Sequence, residues 1–145
     1  MSRLIPFLLY LLAVFAPAAP AARAEPPLSG AYSADIEAAD VKHVKGVPAD
    51  AFLGKWTLTF NDDGTYSVQQ NGVEHVKGTF SVKGETLTLV DRSGDYACMD
   101  EDTPAVGEYR VKRGDTTIAL TKVKDESCPG RAAALTLKPY IADPR

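Results

Sequence analysis

From Gly54 onward, apolar side chains recur at every second residue, in short runs separated by tight-turn signals. Successive side chains of a strand point to opposite faces, so this spacing belongs to half-buried β-strands with one face on a core. In "GKWTLTF", Trp56, Leu58 and Phe60 share a face; beyond "DDG" the run "TYSVQQ" continues it through Tyr66, Val68 and Gln70. Asn71 and Gly72 make the next turn, and "VEHVKGTFSV" sets Val76, Gly78, Phe80 and Val82 on one side. After "KGE", Leu87 and Leu89 of "TLTLVD" point inward; "RSGDYAC" then brings Tyr96 and Cys98, ahead of an acidic loop, "MDEDTP". A further hairpin sets Tyr109 and Val111 against Ile118 and Leu120, and "AAALTLKPY" reads as the last strand, with Leu135 and Leu137 inward.

Residues 54–140 therefore predict an all-β domain of about eight short antiparallel strands joined mostly by tight turns. Closing such an up-and-down series into a barrel removes its exposed edges; a two-sheet sandwich is the alternative, but its crossing connections need longer loops. Ahead of the barrel, residues 31–53 predict a short strand ("AYSADIE") and one or two helical turns, the second with Pro48 at its start and Gly54 as its stop. Residues 25–30 read as a mobile leader and 141–145 as a tail.

Residues 1–24 carry Arg3, an apolar run from position 4 to 15 and the small-x-small ending Ala22, Arg23, Ala24. That is the pattern of a secretory signal peptide cleaved after Ala24, and the run is short for a membrane span. The expectation is a secreted or periplasmic protein without a membrane anchor, one domain in size. Removing Arg3 and Arg23 from 16 basic residues leaves 14 against 19 acidic ones. With no basic cluster, nucleic-acid binding is not expected. Cys98 and Cys128 are the only cysteines. In an oxidising compartment the favoured state is a disulfide between them; two free thiols or half of a metal site are the alternatives.

The short helical turn, then Gly54, Lys55 and Trp56, then a meander of hairpins resembles the start of lipocalins and other calycins. The chain is more closely similar to small secreted bacterial lipocalin-like proteins, in "GKWTLTFNDDGTYSV", "KGTFSVKGETLTLVD", "GDYAC", "GEYRV" and "DESCPGR", and the likeness covers residues 32–140. It implies an eight-stranded antiparallel barrel, a closed end plugged near Trp56 and small-ligand binding inside. Lipocalins usually set an arginine after the last strand, across that tryptophan. Here the place holds Lys138, Pro139 and Tyr140, which makes Lys138 the nearest substitute, while Arg131 is expected at the other end.

The many large inward side chains favour a largely packed interior, yet the hydroxyls of Tyr66, Tyr96 and Tyr109 need partners if buried. Should the barrel bind a ligand, Tyr66, Phe80, Tyr96 and Tyr109 are expected to line the hollow, with Gln70 near its mouth and Trp56 structural. His43 and His75 show no metal-ligand spacing, and the acidic group Asp91, Asp95, Asp100, Glu101 and Asp102 matches no calcium-loop pattern. No metal or other cofactor is expected. No nucleophile sits in a motif with a base, so an enzyme is not expected either. Two functions remain: a binder of a small, partly apolar molecule, and a packed interaction protein, such as a periplasmic hydrolase inhibitor, meeting a protein partner through its acidic loop. That loop offers only Met99, Pro104 and Val106 as apolar anchors, which favours the binder.

Overall fold

The computed structural model describes residues 27–145; the predicted signal peptide and its cleavage site lie outside the described residues. Eight antiparallel strands close a barrel. They are β1 (Gly30–Ile36), β2 (Gly54–Phe60), β3 (Thr65–Gln70), β4 (Val73–Lys83), β5 (Thr86–Ser93), β8 (Val106–Arg113), β9 (Thr117–Lys124) and β10 (Tyr140–Ala142). The remaining strands, β6 (Met99–Asp100) and β7 (Thr103–Pro104), form a small separate hairpin in the β5–β8 connection. A short 3-10 turn, Ala49–Phe52, precedes β2, and one helix, α1 (Pro129–Thr136), follows β9. Among the described residues, no helix is long and apolar enough to cross a membrane.

The alternation in sequence becomes the inner face directly. Trp56, Leu58, Phe60, Tyr66, Val68, Val76, Leu87, Leu89, Tyr109, Val111, Ile118 and Leu120 are all buried in one core. Register follows from it: Trp56 stands opposite Gln70, Leu58 opposite Val68 and Phe60 opposite Tyr66. Slipping any of these pairs by one residue would turn the apolar set out to water.

Three elements differ from the sequence-based expectation. The strand expected ahead of the barrel is one of its staves, since β1 pairs with β2 along its whole length and with β10 on its other side. The segment carrying Tyr96 and Cys98 forms turns and the β6–β7 hairpin and contributes no barrel strand. Residues expected as the last strand form α1 instead, and the final strand is the short β10, which extends into the expected tail. Pro129 at the first helical position and the run Ala132, Ala133, Ala134 favour helix, and Ala132, Ala134 and Leu135 turn inward from it. β10 pairs with β9 only at Ile118 and Thr117, so α1 packs against β9 where β10 is missing. Lys138, just beyond, reaches the carbonyl of Asp35 at 2.8 Å and Asp40 at 3.0 Å, and so ties this end of the seam to β1. Leu28, in the expected leader, is buried against the core.

Cys98 and Cys128 form a disulfide that joins the loop after β5 to the start of α1. By the loop-entropy argument the bond contributes about 3–4 kcal/mol. The double substitution Cys98→Ser and Cys128→Ser should lower the urea midpoint accordingly; an unchanged midpoint would make the bridge structurally idle.

Candidate functional site

At the mouth nearest the 3-10 turn, the barrel holds a half-open cavity of about 490 Å³. Phe52, Trp56 and Tyr96 line its rim, Val68, Val76 and Leu89 its walls, and Tyr66, Asp91 and Arg131 its floor, with the disulfide along one side. Leu58, Phe60, Leu87 and Ile118 are fully buried and outside the cavity lining, so the interior is packed beyond this end.

The rim is built by short-range bonds. Trp56 donates its indole N–H to the Phe52 carbonyl at 2.7 Å, and the two rings stack at 6.4 Å. Gln70 donates its amide to the carbonyls of Ala51 and Leu53, both at 2.9 Å, and so holds the 3-10 turn over the barrel end. Tyr96 sits 6.4 Å from Trp56, and its other neighbour is the imidazole of His75, stacked on it at 4.0 Å. His75 is in turn paired through Nδ1 with Asp95 at 2.9 Å.

The floor is a buried ionic cluster. Arg131 meets Asp125 side-on, Nε to Oδ2 at 2.7 Å and Nη2 to Oδ1 at 2.6 Å. Its Nη1 lies 3.1 Å from Asp91 Oδ1 and donates to the Ala105 carbonyl at 3.1 Å. Tyr66 donates its hydroxyl to Asp91, Tyr109 donates to Asp125, and the Cys98 N–H donates to Asp91 Oδ2 at 2.8 Å. The three charged side chains are exposed by only 7% (Arg131), 1% (Asp91) and 0% (Asp125). Among the described residues, no buried side-chain polar atom lacks a partner. Two inward glycines make the room. A Cβ on Gly78 would collide with the Tyr66 ring and the Val90 carbonyl, and one on Gly107 would come within 2.8 Å of both Arg131 and Asp125.

Burial alone would lower the Arg131 pKa, but the Asp125 hydrogen bonds and the charge of Asp91 hold it above its ordinary value. Burial first, then the neighbouring carboxylates Asp91 and Asp125, push the Tyr66 and Tyr109 hydroxyls well above the usual tyrosine range; burial does the same for Tyr140. In the unfolded chain these groups ionise near pH ~10. The stability they contribute is complete below that pH and is lost as pH rises above it. Ionisation of these three tyrosines should therefore coincide with loss of the far-ultraviolet β signal in an alkaline titration. Smooth ionisation of a barrel that stays folded would contradict their burial.

Of the residues expected from sequence to form a ligand site, the structure brings only Tyr66 and Tyr96 to this cavity, together with Trp56. Tyr96 is not on an inward strand face; it is half-exposed at the rim. Gln70 is turned to the 3-10 backbone, and Tyr109 lies behind Arg131 on Asp125. Phe80 lines a separate recess at the opposite end, with Leu28 and Val82. Arg131, expected at the other end from Trp56, lines the same cavity, and Lys138 bonds Asp35 and Asp40. Asp91, grouped from sequence with the acidic loop, points into the barrel. Among the described residues, no group of three His, Cys, Asp or Glu side chains could hold a metal ion.

Fold and cavity together define a closed eight-stranded antiparallel β-barrel with an aromatic-rimmed mouth above a buried ionic cluster. No protein-family model, curated protein or solved structure matches the chain.

Proposed function

We propose that the protein is a secreted or periplasmic lipocalin-like binding protein that takes a small, largely apolar molecule into the mouth beside Trp56. The observation that carries this reading is the half-open cavity of about 490 Å³, mostly apolar in its lining, with Tyr66, Asp91 and Arg131 as polar groups at its floor. Small-molecule sites have this size and this division of labour, with apolar walls giving burial and a few polar groups fixing orientation. The strand pattern around Gly54, Lys55 and Trp56 and the barrel itself support the lipocalin-like reading as an analogy of fold; the N-terminal sequence supports export. The role is binding, with no catalytic step.

The test is a titration with N-phenylnaphthylamine, a neutral apolar fluorophore. Saturable enhancement of its fluorescence, with a matching change in the emission of Trp56, the only tryptophan, is the expected result. No enhancement would overturn the reading. It would favour the second one, a protein-binding role for the β6–β7 hairpin, where Met99 and the adjacent Val106 are exposed.

A further inference from the structure

We infer that the molecule bound at this mouth is an organic cation, an alkylated ammonium carried on an apolar body. The inference rests on the cavity being a ligand site and adds the charge of its occupant.

Two independent features of the cavity lead there. The first is the charge left over on its floor. Asp91 and Arg131 are the charged side chains that line it, and Asp125 lies directly behind Arg131. One guanidinium faces two carboxyl groups there, so the cluster holds one more acidic than basic side chain at the floor of the cavity. Arg131 offers little to an anion, because Nε and Nη2 are engaged by Asp125 and Nη1 by Asp91 and Ala105. Asp91 has spare capacity: Oδ1 meets Tyr66 and Arg131, while among the described residues Oδ2 accepts only the Cys98 N–H. A carboxylate has about four acceptor sites.

The second feature is the rim. Phe52, Trp56 and Tyr96 all line the cavity, adjacent centroids 6.4 Å apart, with His75 stacked on Tyr96. Aromatic rings attract cations through the negative potential of their faces, tryptophan most strongly, and sites of this composition recognise quaternary ammonium groups. An apolar wall also selects which cation enters. A metal ion or a primary ammonium would have to shed tightly held water, whereas an alkylated ammonium carries little and brings its own apolar surface.

The experiment displaces bound N-phenylnaphthylamine with three compounds of similar size: benzyltrimethylammonium, its neutral analogue benzyl dimethyl carbinol, and phenylacetate. Benzyltrimethylammonium should displace the dye at about tenfold lower concentration than the carbinol, as expected for a desolvated cation–aromatic contact, and phenylacetate should be the weakest of the three. Dye that binds but is displaced equally well by the carbinol, or better by phenylacetate, overturns the cation and leaves the cavity reading standing. Dye that does not bind at all removes both.

Asp91→Asn risks unfolding the barrel, so the variant of choice is Tyr96→Leu, which alters a half-exposed ring outside the core. It should bind the dye more weakly, because a rim ring is lost, and in that residual binding the preference for the ammonium compound over the carbinol should shrink. An unchanged preference would overturn the role given to the aromatic rim.

Discussion

Arg131→Met should destabilise the barrel by about 3–5 kcal/mol, the usual cost of removing one partner from a buried ion pair. Asp91 and Asp125 would then be left with neutral donors only, the hydroxyls of Tyr66 and Tyr109 and the N–H of Cys98. Two carboxylates that were bridged by one cation would then face each other without it, both almost fully buried. Asp125→Asn added to Arg131→Met should recover part of the loss, because one stranded charge is removed with its counter-charge. Urea unfolding of the two variants against wild type reads both effects. A loss below about 1 kcal/mol, the range of an exposed pair, would mean that the cluster is far wetter than its burial indicates.

How much of this cluster was legible differs from residue to residue. Tyr66 and Tyr109 were, since both fall on inward phases and their hydroxyls demanded partners. Asp91 shares the phase of Leu87 and Leu89, and strict alternation would have turned it inward; its nearness to the acidic run "MDEDTP" drew it into that loop instead. Asp125 gave no signal, because the residues from Thr121 to Lys124 are all exposed and β8 slips register against β9 between Glu108 and Tyr109. The strand pattern of residues 132–140 hides Arg131. An i, i+2 reading of "AAALTLKPY" pairs Leu135 with Leu137, whereas the helical spacing places Arg131 on one face with Ala134 and Leu135. The barrel itself was legible because period-two alternation and turn residues agree along most of the chain. The ionic cluster joins side chains from β3, β5, β8, α1 and the loop after β9, and no local pattern encodes that meeting.

Trp56→Ala should cost about 3–5 kcal/mol, the range for deleting a large buried aromatic side chain and leaving a cavity behind. Trp56 is 5% exposed, stacks on Phe52 and donates to the Phe52 carbonyl at 2.7 Å. Its loss therefore removes apolar burial and also frees the 3-10 turn, leaving that turn held mainly by Gln70 through Ala51 and Leu53. Trp56→Phe separates the two contributions. It keeps a ring against Phe52 but leaves the carbonyl without its indole donor, a penalty of about 1–3 kcal/mol for a buried group. Far-ultraviolet circular dichroism must follow the unfolding, since the only indole is gone. The same pair of variants bears on the cavity. Trp56→Phe should keep the mouth and bind N-phenylnaphthylamine, while Trp56→Ala should bind it more weakly even under conditions where it is folded, because one wall of the rim is missing. Equal dye affinity in folded Trp56→Ala would place the binding site away from this mouth, and a stability loss below about 1 kcal/mol would show that the indole does not help to hold the barrel end.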